Sequence, residues 1–118
     1  MGTGNRSELS VGYFTKYGDG GVDILPLGSL LKHEVRSLAR ELGVPDVVIS
    51  KAPSGGLWEG QTDEGEMGIT YETLDRALQA IETGESDWIA PERLAQVEKM
   101  MARSAHKRDP IPVFIPAR

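Results

Sequence analysis

The chain has 118 residues, room for one domain, and its 18 acidic against 13 basic residues leave a formal charge of −5. That balance argues against a nonspecific nucleic-acid coat or a polybasic membrane anchor. The absence of cysteine excludes disulfide staples, thiolate nucleophiles and Cys-ligated zinc.

No apolar run approaches the ~20 residues of a membrane span, and nothing at the amino end reads as a signal peptide. The expectation is a soluble protein of a reducing compartment, with no nucleic-acid or membrane partner. Charge is unevenly placed. From Glu59 to Glu92 the net charge is −9, and the remainder of the chain is +4. A polyanionic ligand is therefore expected on the two outer segments, while the acidic stretch reads mostly as solvated surface.

Met1-Gly2-Thr3-Gly4-Asn5 opens the chain as a glycine-polar loop of the kind a preceding element normally positions, so a fragment is expected. A short helix is predicted from about Ser7 to Tyr17, with Ser7 as its cap. Lys16-Tyr17-Gly18-Asp19-Gly20-Gly21-Val22-Asp23 reads as a tight turn that needs positive φ. Ile24-Leu25-Pro26-Leu27 is too short and too Pro-interrupted for a convincing strand.

The strongest helix runs from Ser29 to Leu42. Leu31, Val35, Leu38, Ala39 and Leu42 form an apolar stripe, with Lys32, Arg36 and Arg40 as a basic stripe beside it. Gly43 suits a left-handed cap, and Pro45 opens a short helix through Val47, Val48 and Ile49. Lys51 to Gly68 is the least regular stretch, long enough to be a lid, a binding loop or disordered, with Trp58 as the anchor closing it.

A further amphipathic helix spans about Thr70 to Thr83 with Leu74, Ala77, Leu78 and Ile81 inward. Another begins at Pro91 and ends near Ser104, followed by His106-Lys107-Arg108 and a proline-interrupted apolar tail. The segment thus reads as mostly α-helical with long glycine-rich loops. These helices make no obvious core of their own, so a sheet is expected to belong to a missing partner segment.

The loops carry a family signal. Gly2-Thr3-Gly4-Asn5-Arg6-Ser7-Glu8, then Phe14-Thr15-Lys16-Tyr17-Gly18-Asp19-Gly20-Gly21, then Pro53-Ser54-Gly55-Gly56-Leu57-Trp58, Gln61-Thr62-Asp63-Glu64 and His106-Lys107-Arg108 resemble the carboxy-terminal half of NAD synthetase in order and spacing. The resemblance covers essentially residues 1–118. It implies an α/β fold, a doubly wound parallel sheet of the ATP-pyrophosphatase type. It also implies a cytoplasmic ligase, usually a homodimer, that adenylates deamido-NAD with ATP and Mg²⁺ and transfers ammonia to form NAD. The family's pyrophosphate loop, SGGxDS, belongs to the amino-terminal half and is absent here. Ser54-Gly55-Gly56 mimics it, but Trp58 and Glu59 stand where the Asp-Ser pair would.

By resemblance Thr3, Lys32 and Ser54 contact ATP, Glu8 holds magnesium, and Lys16, Asp23, His106 and Lys107 contact deamido-NAD. Mg²⁺ takes hard oxygen ligands and only one or two carboxylates, which suits Glu8. A glutamate near a helix start is otherwise an ordinary dipole-favouring carboxylate. Asp19 is implied to orient or deprotonate the incoming ammonia, since ammonium must lose a proton to attack. The alternative is an aspartate filling a turn position. Lys32 is implied to act catalytically by offsetting charge as pyrophosphate leaves, or else lines the basic face with Arg36 and Arg40. His33 is expected to be structural. Free ammonia is favoured over glutamine as nitrogen donor. The other functional reading is a non-catalytic fragment or split subunit that only binds its missing half.

Overall fold

Helices form where apolar residues recur at helical spacing and where a cap marks each end. The computed structural model describes residues 1–117. In chain order the elements are α1 (Arg6–Val11), α2 (Lys32–Glu41), α3 (Asp46–Ile49), α4 (Asp63–Met67), α5 (Tyr71–Thr83) and α6 (Pro91–Arg103), followed by a 3₁₀ turn over Ala105–Lys107. There is no strand among the described residues, so the helical reading of the segment holds and the parallel sheet is not seen in it. No helix among them is long and apolar enough to cross a membrane.

Caps explain most boundaries. Thr70 accepts from the Thr73 amide to start α5, and Gly84 ends it in the left-handed conformation at φ 76°. Pro91 occupies the first turn of α6. The α1 boundaries differ from expectation. Asn5, not Ser7, is the cap, and it forms a reciprocal capping box with Glu8. Gly12, at φ 72°, stops the helix after Val11 rather than near Tyr17. The Gly18–Gly21 turn also departs from expectation, because none of its glycines has positive φ. Close packing is the constraint instead: a Cβ on Gly20 would lie 2.4 Å from a Phe14 ring carbon.

The helices do build a core of their own, contrary to the reading from sequence. Tyr71, Leu74, Ala77 and Leu78 of α5 pack with Val11 of α1, Val97 of α6, and Leu31 and Ile69 from the connecting segments. This forms because α5 is central and touches α1, α2 and α6. By contrast α2 buries no residue, and Leu38 and Leu42 of its apolar stripe are exposed. Val47 and Val48 of α3 extend that uncovered apolar surface. The long loop is not wholly irregular: Thr62 caps α4 within it by accepting from the Gly65 amide. Trp58 is exposed, so it does not anchor the loop in this conformation.

Candidate functional site

Glu8 sits in the first turn of α1 because the capping box fixes it there. Its Oε2 accepts from the Asn5 amide at 3.1 Å. Its Oε1 turns inward, accepting from the Tyr71 hydroxyl at 2.9 Å and lying 3.6 Å from the Lys32 ammonium. The Glu8 and Lys32 side chains are only 16% and 20% exposed, so salt screens this pair less than one on open surface. The Lys32 ammonium also lies 4.8 Å from the Tyr71 ring centroid, in cation–π range.

Lys32 is delivered to Glu8 by a buried carboxylate. Asp75 of α5 accepts from the Ser7 hydroxyl, and from both the backbone amide and the ring Nδ1 of His33 at 2.9 Å each. The Ser7 oxygen in turn accepts from the Lys32 amide at 2.9 Å. These bonds tie α1, α5 and the start of α2 together, and they give His33 the structural role expected of it.

Lys32 and Ser54 line one cleft of about 310 Å³, which Val35, Ala39, Arg36 and Lys51 also line. The cleft is therefore apolar with cationic side chains, a suitable lining for a nucleotide. Ser54 closes its own loop in this conformation. Its hydroxyl donates to the Gln61 carbonyl at 2.7 Å and accepts from the Gly56 amide at 3.1 Å.

A second basic group lies at the far end of α1. The Lys16 ammonium lies 3.2 Å from His106 Nδ1. An ammonium has only donors, so Nδ1 is the acceptor. Lys107 donates to the carbonyls of Gly12 at 2.8 Å and Phe14 at 2.6 Å, and lies over the Phe14 ring. It thus offsets the negative end of α1. Asp19 accepts from the Thr15 amide at 2.7 Å, as a turn-closing residue does.

Thr3 and Asp23 are exposed, on segments joined by a 2.9 Å bond from the Gly2 amide to the Ile24 carbonyl. The fold thus brings Glu8 to Lys32, Lys32 and Ser54 to one cleft, and Lys16 to His106. Among the described residues it forms no hydrogen bond from the Asp19 side chain to Glu8 or Lys32.

Four polar residues at the site were given no role from sequence: Tyr13, Asp63, Tyr71 and Asp75. The Tyr71 hydroxyl lies 2.9 Å from both Glu8 and Asp63, and the Tyr13 hydroxyl bridges Asp63 at 3.2 Å and Glu66 at 2.9 Å. Burial, then the adjacent carboxylates, push both phenols above their ordinary range, so both remain protonated donors. A signal for Asp75 was present. It shares the buried face of α5 with Tyr71, Leu74 and Leu78, and a carboxylate on an apolar stripe demands a partner.

Among the described residues no three His, Cys, Asp or Glu side chains gather to enclose a metal. The Glu8 carboxylate is a hard-oxygen donor of the kind of which magnesium takes only one or two from a protein.

The model of the NAD synthase family matches residues 1–111. The chain belongs to the NAD synthase family. Among its relatives, the NH(3)-dependent NAD(+) synthetase of Methanococcoides burtonii is 51% identical over 115 residues, 92% of this chain and 44% of that protein. A solved NMN synthetase from Francisella tularensis superposes with a TM-score of 0.82 at 44% identity, covering 95% of this chain and 44% of the other. An NH3-dependent NAD synthetase from Campylobacter jejuni, in complex with nitrate, gives a TM-score of 0.73 at 28% identity, with 97% and 44% covered. The chain therefore spans less than half the length of each of these three proteins.

Proposed function

We propose that this chain is the carboxy-terminal part of a single-domain, ammonia-dependent NAD synthetase, a ligase forming a C–N bond. In this reading ATP adenylates the nicotinate carboxylate of deamido-NAD with release of pyrophosphate. Ammonia then attacks the acyl carbon and displaces AMP, leaving the amide. The observation that carries the reading is the enclosed Glu8–Lys32 pair beside the Ser54 cleft, on a chain matched by the NAD synthase family over residues 1–111.

The residue roles are those the family resemblance implies, and the shared cleft of Lys32 and Ser54 supports two of them. Lys32 faces the cleft it lines with Ser54 and offsets phosphate charge as pyrophosphate leaves, while Ser54 and Thr3 hydrogen-bond ATP. Glu8 would hold magnesium through its carboxylate. Bound magnesium supplies charge neutralisation at phosphate oxygens. Lys16 and Lys107 supply positive charge for the dinucleotide pyrophosphate, His106 donates to it through its other ring nitrogen, and Asp23 meets its polar groups. Lys107 does so while still bonded to Gly12 and Phe14, or by leaving them. Asp19 is exposed and takes the proton that ammonium must lose.

The doubly wound parallel sheet and the SGGxDS loop belong, in this reading, to an amino-terminal half. The exposed apolar stripe of α2 is the surface that half covers, and the completed enzyme is a cytoplasmic homodimer. The test is turnover. The purified chain, given ATP, magnesium, deamido-NAD and ammonia, is expected to form no NAD. Adding or fusing a segment that carries SGGxDS is expected to produce NAD and AMP together. Because one solved relative is an NMN synthetase, nicotinate mononucleotide serves as the competing substrate. Turnover by the chain alone would sink the half-enzyme reading. Silence of the assembled protein with either substrate would leave the non-catalytic subunit.

A further inference from the structure

Tyr71 touches both members of the Glu8–Lys32 pair and also the long glycine loop. Its side chain is essentially buried, with its hydroxyl 2.9 Å from Glu8 Oε1 and 2.9 Å from Asp63 Oδ2. A phenol has one proton, so it donates fully to only one of these carboxylates at a time. Asp63 is itself buried and reaches back into the loop, because its amide donates to the Pro53 carbonyl at 2.9 Å. Pro53 precedes Ser54, whose hydroxyl bonds the Gln61 carbonyl. Gln61 accepts from the Leu57 amide at 2.7 Å and donates through its amide nitrogen to Glu66, which also accepts from Tyr13. A continuous path thus runs from Glu8 through Tyr71 and Asp63 to the loop that bears Ser54. The groups facing the phenol are Glu8 from α1, Lys32 from α2 and Asp63 from α4.

We propose that Tyr71 is a positioning residue that couples the 53–62 loop to Glu8 by sharing its hydroxyl proton between Glu8 and Asp63. When Glu8 Oε1 is engaged by a cation, the proton goes wholly to Asp63, and the loop is held with Ser54 at the cleft. When Glu8 is unengaged, it competes for the proton and the loop loosens. The catalytic meaning of this coupling rests on the roles given to Glu8 and Ser54 above, but the coupling is a property of the chain itself.

The test therefore needs no turnover. The full 118-residue chain is digested with a chymotrypsin-like protease. Cleavage is followed by mass at the exposed Leu57–Trp58 pair, with helix content monitored in parallel. Tyr71→Phe and Asp63→Asn are expected to speed that cleavage about fivefold or more, the scale of one lost hydrogen bond. Glu8→Gln is expected to slow it, because a neutral amide competes less for the proton. In the Tyr71→Phe background Glu8→Gln is expected to have no effect, a non-additivity that a merely structural role would not produce.

Asp63→Asn keeps the phenol, and decides the question if Tyr71→Phe does not fold. Wild-type cleavage rates in the variants, or a Glu8→Gln effect that persists without the hydroxyl, would overturn the proposal. Absence of NAD formation in the assembled protein would instead count against the ligase reading, leaving this result untouched.

Discussion

Asp75 accepts from His33 twice, from the backbone amide and from ring Nδ1, both at 2.9 Å. One carboxylate thereby fixes the first turn of α2, and with it Lys32. Asp75→Ala leaves the buried Ser7 hydroxyl and the part-buried His33 amide without their acceptor. The expected cost is ~3 kcal/mol in denaturant unfolding, the scale of lost hydrogen bonds to a buried charge. Asp75→Asn keeps one acceptor and is expected to cost less. Equal stability of the alanine variant and wild type would remove Asp75 as the anchor of α2.

Glu8→Gln preserves size and leaves an oxygen to accept from the Asn5 amide, so the cap of α1 is expected to survive. In the assembled enzyme, turnover at saturating substrates is expected to fall ~10²-fold, since metal stabilisation of phosphate charge is worth several kcal/mol. Steady-state rates at millimolar magnesium within about twofold of wild type would exclude Glu8 as a metal ligand.

Two left-handed glycines provide an internal control. Gly12 and Gly84 have φ of 72° and 76°, but a Cβ on Gly12 would lie 2.3 Å from Ser104 Cβ, whereas Gly84 has nothing within 4 Å. Gly84→Ala is expected to cost ~1 kcal/mol, from backbone conformation alone. Gly12→Ala adds a clash between α1 and the end of α6, for a total of ~3 kcal/mol. Thermal unfolding of the two variants side by side measures the difference, and equal costs would argue against close packing at Gly12.

The tyrosines set an alkaline limit. Tyr13 and Tyr71 ionise above their ordinary value of 10.0 because burial and neighbouring carboxylates disfavour the phenolate. Below that value both states keep these protons and the stabilisation is complete. Above it the unfolded chain releases protons that the folded chain retains, so stability falls as pH rises. Equilibrium unfolding from neutral to strongly alkaline pH is expected to show this decline, and Tyr71→Phe is expected to flatten it. Parallel absorbance titration is expected to show fewer than three tyrosinates until the chain unfolds. Full tyrosinate formation in the folded state would contradict the hydroxyl network.

The amino-acid sequence by itself determined the family and the order of the main helices, and it nominated the candidate site residues. These depend on local properties. Apolar spacing defines α5 and α6, Gly43 and Gly84 stop their helices through backbone freedom, and the loop motifs keep their order without reference to packing. The tertiary structure alone decided what faces what. Ser7, expected as the cap of α1, instead gives its hydroxyl to Asp75, 68 residues away. Lys107, read from its motif as a ligand contact, is held on the carbonyls of Gly12 and Phe14, which only the approach of the α6 end to α1 provides. Tyr71 was given no role from sequence, yet it stands between Glu8 and Asp63 because α5 lies at the centre of the core and carries its hydroxyl to both. Capping and periodicity act over one helical turn, whereas the sharing of a buried proton depends on contacts between residues far apart in the chain.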